Sequence, residues 1–370
     1  MSVAVTSLGL VSCISHDVIS SCAAERASLT RRTPLAATVP GDEGEEVPVV
    51  GAPIAGFTDG FLQSAAWLRM APRCIEDLIT YGKLPGKEDA AFWQGTTIAW
   101  LLPEIGEDAR FGWPENDIPM LLDESLGKPF LAITGLPLKG PVTYFRFGAA
   151  GLHRAIAHAY TALTKIPRVL LLATESLVDG PSLSWLAGEE RLKDGEHPTG
   201  MCPGEAAVAL LLEEPRAARA RAATSAVQIL ASTSVASPAP LDPVEPSADR
   251  FKQAPDWGRN LGQAIRDVLM ASGTPLPFRG DFVLDLNGES WKAMIWGTAQ
   301  TQLVDVVDFP SCPVRLPAVS FGDVGAASSL VGVCVAARAF ARRYALGQRA
   351  VICSMSDCGE VSAVVVGAPG

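Results

Sequence analysis

The residues of this sequence best suited to chemistry are its cysteines and histidines. Eight cysteines are scattered without a Cys-x-x-Cys pair, and none of the four histidines has the spacing of a zinc ligand. This pattern predicts neither a disulfide framework nor a metal site, and it indicates free thiols in a reducing compartment. We also expect no cofactor.

Cys358 is a candidate nucleophile because it lies in a turn between two apolar runs. A thiol attacks a thioester as the thiolate, and no histidine is near Cys358 in the sequence to activate it. We therefore interpret Cys358 as a small buried residue. His153 and His158 are five positions apart on a predicted helix, so they do not share a face as an i,i+4 ligand pair would.

Length and composition indicate a large folded protein. The chain has 370 residues, of which 48% are hydrophobic and 19% charged, enough to bury a sizeable core.

A formal net charge of −10 and the lack of a long Lys/Arg run argue against nucleic acid or a membrane as partner. No apolar run reaches the ~20 residues of a membrane span. No basic residue precedes Cys13 as in an export signal, so we predict a cytoplasmic protein.

Helices and strands are expected to alternate along the whole chain, which predicts a layered α/β protein. Strands are expected at the β-rich or apolar runs 3–6, 168–173, 206–212, 227–230, 282–285, 350–353 and 361–366. Helices are expected near 22–25, 151–163, 260–271 and 324–344. The acidic, glycine-containing stretch 40–48 is typical of a surface loop. We place a first half at 1–218, with an insertion at about 40–138, and a second half at 219–370.

Several segments resemble β-ketoacyl synthases, in order and over nearly the whole chain. The sequence VSFGDVGAASS at 319–329 resembles the motif that opens a helix in these enzymes. PTGMCPGEAA at 198–207 is similar to their PGEGA segment, and DLNGE at 285–289 stands where they have an HGTGT turn. The resemblance is weakest between 40 and 138. It implies the thiolase fold, in which two similar βαβαβ halves form five layers, α-β-α-β-α.

The resemblance also implies a degenerate active site. These enzymes hold the acyl group on a cysteine at a helix N-terminus, and two histidines stabilise the oxygen that becomes anionic. Here the cysteine position falls at Gly148, the histidine positions at Asp285 and Asp323, and the position of a supporting lysine at Ala318. Each ionised acid would oppose an anionic oxygen by roughly 1 to 4 kcal/mol at about 4 Å.

Two interpretations of the carboxyl groups are open. They could share a proton, or one could act as a general base in an altered pocket. Alternatively, Asp323 caps the helix that it precedes, and Asp285 accepts hydrogen bonds from the backbone amides of Asn287 and Gly288. We favour the second interpretation.

Three functions are compatible with this resemblance. The first, which we favour, is a catalytically inactive adaptor or chaperone for a protein client, because the chain resembles short synthase-like proteins encoded near type VI secretion effectors. The second is an acyl-thioester enzyme with a relocated site at Asp285, Asp323 or Cys358. The third is a non-catalytic partner subunit of an active ketosynthase, similar to a chain length factor. An acyl-carrier protein would be a partner in the second and third.

The resemblance also implies a dimer, formed with a second copy or with a synthase-like paralogue. β-Ketoacyl synthases pair through the strand beside the nucleophile, so that one sheet continues across the two-fold axis. In this chain that strand would consist of Val142, Thr143, Tyr144, Phe145, Arg146 and Phe147.

Overall fold

The computed structural model describes residues 3–41, 43–106, 110–195, 197–237, 241 and 245–369. Twelve strands lie within these residues. They are β1 (Val3–Ser12), β2 (Thr33–Pro40), β3 (Glu46–Gly51), β4 (Thr96–Leu102), β5 (Val142–Arg146), β6 (Arg168–Ser176), β7 (Glu205–Glu213), β8 (Val227–Val235), β9 (Asp281–Leu284), β10 (Val314–Arg315), β11 (Arg349–Met355) and β12 (Val361–Gly367). The predicted strands are confirmed, although residue 285 lies just beyond β9.

Twelve α-helices lie in the same described ranges. They are α1 (Val18–Arg26), α2 (Ser64–Gly82), α3 (Ala90–Gln94), α4 (Ile118–Leu122), α5 (Lys128–Thr134), α6 (Leu152–Ala162), α7 (Gly180–Gly188), α8 (Pro215–Ala220), α9 (Pro246–Ala271), α10 (Ser290–Gln302), α11 (Ala318–Phe321) and α12 (Ser328–Ala341). The four predicted helices correspond to α1, α6, α9 and α12. No helix in the described ranges is both long and apolar enough to span a membrane.

The sheet repeats one topology twice. Ten strands follow the order β10-β9-β11-β12-β8-β1-β7-β6-β4-β5. In chain order, one set of five consists of β1, β4, β5, β6 and β7, and the other of β8, β9, β10, β11 and β12. In each set, the first strand pairs antiparallel with the fifth, and the fifth pairs antiparallel with the fourth. The fourth strand pairs parallel with the second, and the second pairs parallel with the third. β1 and β8 join the two sets through a short antiparallel pairing. The chain therefore folds as two similar halves.

The apolar residues pack into five layers. Successive side chains of a strand point to opposite faces. In β6, Leu171 faces a central core with α1, α6 and α12, which is shared by both halves, whereas Leu170 and Leu172 face α2, α4 and α5. On the other side, α9 and α10 cover the outer face of β9, β11 and β12. Burial on both faces explains the continuous apolar runs of these strands and confirms the predicted α-β-α-β-α arrangement.

The prediction of a surface loop at 40–48 was only partly right, because its first residue ends β2 and its last three begin β3. Residues 33–40 and 46–51 form a separate hairpin, β2 and β3, in which Pro40 pairs with Glu46. Each strand of an isolated hairpin has a free edge, so a proline there need not remove a ladder hydrogen bond. Val39 and Val49 bury their side chains against Leu183 of α7, which holds the hairpin on the first half.

The chain passes from the first set of strands to the second between Glu213 and Val227. The division of the chain at 218/219 stays a prediction. The segment at 40–138 supplies α2, whose residues pack on β1 and β7, and β4, which lies between β6 and β5. This segment therefore contributes to the layered core of the first half.

Candidate functional site

The turn that follows β5 contains no nucleophile. Gly148 begins a 3₁₀ turn, Gly148–Gly151, that leads into α6. Its φ of +53° lies in the left-handed region, which favours glycine. A Cβ at this position would lie 3.7 Å from Cβ of Ser356, so the site has room for a side chain. Backbone conformation rather than crowding therefore accounts for the glycine.

Asp323 does not cap α12 directly as predicted, because the N-cap position of that helix is Ala327, four residues later. Oδ1 of Asp323 accepts a hydrogen bond from the backbone N–H of Gly325 at 2.8 Å, in the 3₁₀ turn that precedes α12. Its Oδ2 accepts a second hydrogen bond from Nδ2 of Asn287 at 2.6 Å. Both oxygens of Asp323 are thus engaged by the protein itself.

Asp285 does not make the hydrogen bonds that were predicted for it. Its Oδ2 accepts from the backbone N–H of Met355 at 2.8 Å and from Nζ of Lys292 at 3.4 Å, rather than from the amides of Asn287 and Gly288. The reason is strand register. β9 runs parallel to β11, so the side chain just beyond β9 meets the backbone at the end of β11. Burial raises the pKa of Asp285 to about 6, although the charge of Lys292 opposes this rise.

Asn287 holds the turn after β9, a role that the sequence did not reveal. Its Nδ2 donates to Asp323 at 2.6 Å and to Oε2 of Glu289 at 2.7 Å, and its Oδ1 accepts from the backbone N–H of Glu289 at 3.0 Å. The following Gly288 has a φ of +112°, and a Cβ there would lie 2.7 Å from the carbonyl oxygen of Gly200. This turn therefore packs directly on the loop that precedes β7.

A buried arginine forms two bidentate ion pairs beside this turn. Arg191 is 3% exposed and contacts both oxygens of Glu289 at 2.8 and 2.9 Å and both oxygens of Asp357 at 2.8 and 2.9 Å. Burial alone would raise the pKa of each acid, but the charge and hydrogen bonds of Arg191 outweigh it and hold both below their usual values. These partners lie 98 and 166 residues from Arg191, so no local pattern predicts the cluster.

Glu175 adds another buried acid to the site. It lies at the end of β6, and its Oε1 is 3.0 Å from Nη2 of Arg110. Burial raises its pKa to about 7, and the charge of Arg110 opposes this rise. Gly325 packs against the Glu175 side chain. Acidic groups from both halves of the chain therefore meet near the N-terminal end of α12.

The cavity beside Ala318 is too small for an acyl chain. Ala318, Asp285 and Ser328 line a narrow space between α11, α12 and the ends of β9 and β11. The space holds about one water molecule. Ala318 brings no charge to this cavity.

Cys358 and the histidines of α6 do not form an activated pair. Burial, together with the charge of Glu104, raises the pKa of the Cys358 thiol to about 11, so the thiol form dominates at neutral pH. Nδ1 of His153 is 3.0 Å from Oγ of Ser232 on β8, and the ring of His158 packs on Phe145. Among the described residues, no group of three or more His, Cys, Asp or Glu is arranged to hold a metal ion.

The predicted dimer strand lies at an edge of the sheet. β5 is the last strand in the order, so within the described part of the chain no strand covers its outer edge. All five of its residues are partly exposed. Arg146 is held by an ion pair to Glu115 at 2.6 Å, and the hydroxyl of Tyr144 donates to the carbonyl of Leu122 at 3.3 Å. Phe147, the sixth predicted residue, lies just beyond β5.

Comparison with solved structures identifies this architecture. No protein-family model and no curated protein matches the sequence. A chain of AntDE:AntF, described as a type II polyketide synthase acyl-carrier protein in complex with its ketosynthase, superposes with a TM-score of 0.76, 14% identity and 99% coverage of both chains. The chain has the thiolase fold.

Two further thiolase-fold structures match along their whole length. The ishigamide ketosynthase/chain length factor has a TM-score of 0.68 at 16% identity and covers 100% of both chains. A β-ketoacyl synthase from Burkholderia phymatum STM815 has a TM-score of 0.70 at 14% identity, with 100% of this chain and 99% of that chain covered. Similarity at this level of identity shows a shared ketosynthase-like fold, and function has to be argued from the site.

Proposed function

We propose that this protein is a non-catalytic, ketosynthase-like subunit that pairs through β5 with a second thiolase-fold chain. The observation that carries the proposal is Gly148, which occupies the turn between β5 and α6 with a φ of +53°. Acyl transfer through a covalent intermediate needs a nucleophile at that turn, and glycine supplies none.

The surrounding charges support the same conclusion. Decarboxylative condensation needs hydrogen-bond donors aimed at an oxygen that becomes negative. Here Asp323, Asp285 and Glu175 contribute carboxyl groups. The amide of Asn287 has two N–H donors, and it directs them at Asp323 and Glu289. The amide therefore has no donor left for a substrate oxygen.

The exposed edge of β5 supports the pairing. An uncovered strand edge presents free N–H and C=O groups, which proteins usually cover or pair. One matching structure is named a ketosynthase/chain length factor and another contains an acyl-carrier protein. By analogy, the partner of this chain is a second copy or a ketosynthase-like paralogue, and an acyl-carrier protein would join through an active paralogue.

The more specific adaptor role stays a prediction. A protein client, a link to a type VI secretion effector and a cytoplasmic location all derive from the sequence resemblance. Two observations argue against the alternative of a relocated active site: the raised pKa of Cys358 keeps it a thiol, and Oδ2 of Asp285 and both oxygens of Asp323 accept hydrogen bonds within the protein.

Intact-protein mass spectrometry tests the absence of catalysis. The purified protein is incubated with acyl-CoA and with acylated carrier protein, and an active ketosynthase treated in parallel is the positive control. We expect no mass increase on this chain. A stable acyl adduct that disappears in Cys358→Ala would overturn the proposal and establish a relocated nucleophile.

Light scattering tests the pairing. We expect a dimer of the 38.9 kDa chain, or a one-to-one complex after co-expression with a ketosynthase-like paralogue. Thr143→Lys places a charge on β5 and should dissociate the pair, whereas Thr301→Lys, on the exposed side of α10, should not. A monomer that also binds no ketosynthase-like chain would contradict the proposal.

A further inference from the structure

A group of arginines lies around the edge of the sheet opposite to β5. We call it the β10-edge arginine cluster and define it as Arg26, Arg31, Arg32, Arg342 and Arg343. All five are exposed, and within the described residues none of them forms an ion pair. Five free positive charges on one surface contrast with the net charge of −10 of the whole chain.

Tyr344 brings the parts of this cluster together. The guanidinium carbon of Arg26, at the end of α1, lies 4.3 Å from the centre of the Tyr344 ring. The guanidinium carbon of Arg315, in β10, lies 4.9 Å from the same ring centre. Arg342 and Arg343 immediately precede this tyrosine, beyond the end of α12. The ends of α1 and α12 and the edge strand β10 therefore form one surface.

Arg31 and Arg32 extend the cluster towards α11. Nη2 of Arg32 donates a hydrogen bond to the carbonyl of Val319 at 3.0 Å, and Nη1 of Arg31 donates to the carbonyl of Ile14 at 3.4 Å. A guanidinium carries five N–H donors, and each of these contacts uses one of them. Most donors of both side chains are left for a ligand.

The nearby acids do not neutralise this surface. Asp281 is buried and accepts hydrogen bonds from Arg315 at 2.9 Å and from the backbone N–H of Leu346 at 2.9 Å. Glu25 is also buried, and burial raises its pKa. Both carboxyl groups therefore lie beneath the cluster, and the exposed charge is positive.

Exposed apolar side chains are interspersed with the arginines. Val314 of β10 is 44% exposed, Val319 of α11 is 45% exposed and Leu346 is 57% exposed. Arginine and aromatic residues mixed with apolar ones are enriched at protein interfaces, whereas nucleic acids and anionic lipids are attracted mainly by charge. We propose that the β10-edge arginine cluster docks an acidic segment of a partner protein, with apolar side chains of that segment resting on Val314 and Val319.

This site is independent of the pairing proposed for β5, because β5 and β10 are the two opposite edges of the sheet. Fluorescence anisotropy with deca-glutamate, and with a glutamate peptide that carries interspersed leucines, measures the docking directly. We expect both peptides to bind at low salt, the leucine-containing one more tightly. Added salt should weaken both, because the arginines are exposed.

A triple variant and a matched control test the location. Arg26→Glu/Arg342→Glu/Arg343→Glu should weaken both peptides by about tenfold or more. Lys165→Glu/Arg216→Glu/Arg219→Glu makes the same change in net charge at other exposed positions and should alter affinity by less than about twofold. Val319→Ser should weaken only the leucine-containing peptide. Circular dichroism checks that each variant is folded.

Three outcomes would overturn this inference. The wild-type protein could fail to bind either peptide at low salt. The two triple variants could lose affinity for the peptides equally, which would show that the net charge of the protein, and not the position of the arginines, determines binding. Duplex DNA or phosphatidylserine vesicles could bind the wild-type surface more tightly than the peptides, which would assign the cluster to nucleic acid or to a membrane.

Discussion

Nδ2 of Asn287 lies 2.6 Å from Oδ2 of Asp323, and this hydrogen bond joins two turns that are 36 residues apart in the chain. One turn follows β9 and the other precedes α12. The same Nδ2 is 2.7 Å from Glu289. A single neutral amide therefore lies between two carboxyl groups, and it compensates for their mutual repulsion by donating to both.

Replacing this amide by an acid should be strongly destabilising. Asn287→Asp keeps the shape of the side chain but puts a third carboxylate against Asp323 and Glu289. We expect a loss of roughly 1 to 4 kcal/mol in the free energy of unfolding for each close like-charge contact at neutral pH, and a smaller loss in acid. Urea unfolding of the variant and of Asn260→Asp, on α9, provides the comparison. Equal stability of the two variants would refute the role given to Asn287.

Removal of Arg191 should cost far more than removal of a surface arginine. Arg191→Met leaves the buried carboxylate of Glu289 without its cation, which predicts a loss of about 3 to 5 kcal/mol. Arg73→Met breaks the exposed pair with Glu76 and should cost below about 1 kcal/mol. Denaturant midpoints measure both. If the two variants unfold at similar midpoints, the Arg191 cluster does not stabilise the site.

Gly148→Ala tests the left-handed turn. An alanine with a φ of +53° should lower stability by about 1 kcal/mol, although the site has room for its Cβ. Gly180 is a suitable control, because it is the first residue of α7, has an ordinary φ and open space around it. Gly180→Ala should leave the unfolding midpoint unchanged or raise it slightly. A neutral Gly148→Ala would show that this turn tolerates a side chain.

Asp77 should make stability depend on pH. On α2, its Oδ2 accepts from the backbone N–H groups of Leu10 at 2.9 Å and Val18 at 2.8 Å. Burial raises its pKa from the ordinary 3.8 to about 6. The fold therefore favours the protonated acid, and its stabilising contribution is complete below a pH of about 3.8 and is lost as the pH rises through about 6.

Asp77→Asn removes this titration while one oxygen can still accept both hydrogen bonds. We expect the wild type to lose stability relative to this variant as the pH rises from about 4 to about 6. Asp59→Asn, at an exposed position, controls for loss of a negative charge. A constant difference between the wild type and Asp77→Asn across this range would show that Asp77 does not titrate there.

The layered fold was predictable because each buried strand is indicated by a pattern of neighbouring residues in the sequence. Runs such as 206–212 are apolar at every position, since β7 is buried on both faces. The hairpin of β2 and β3 was missed because its prolines and acids are typical of loops. Of its apolar side chains only Val39 and Val49 belong to the buried core, and they pack with residues of the distant helix α7. Patterns along the sequence could not show that contact.

The site was less predictable than the fold. Resemblance drew attention to Asp285 and Asp323, yet the side chain bonded to Asp323 is Asn287. Asp285 and Asn287 are only two positions apart in the sequence. The register between β9 and β11 determines which of these two side chains meets which neighbouring group. No sequence pattern pointed to Arg191, because an isolated arginine in a polar stretch is typical of a surface residue. Only the folded structure brings Glu289 and Asp357 into contact with it.

The position of β12 has a consequence for folding. Among the described strands β12 follows β8 and β11 in the chain, but it lies between them in the sheet. Until β12 has paired, β8 and β11 each present an open edge. A partly folded second half therefore exposes two unpaired strand edges at once, a state prone to aggregation.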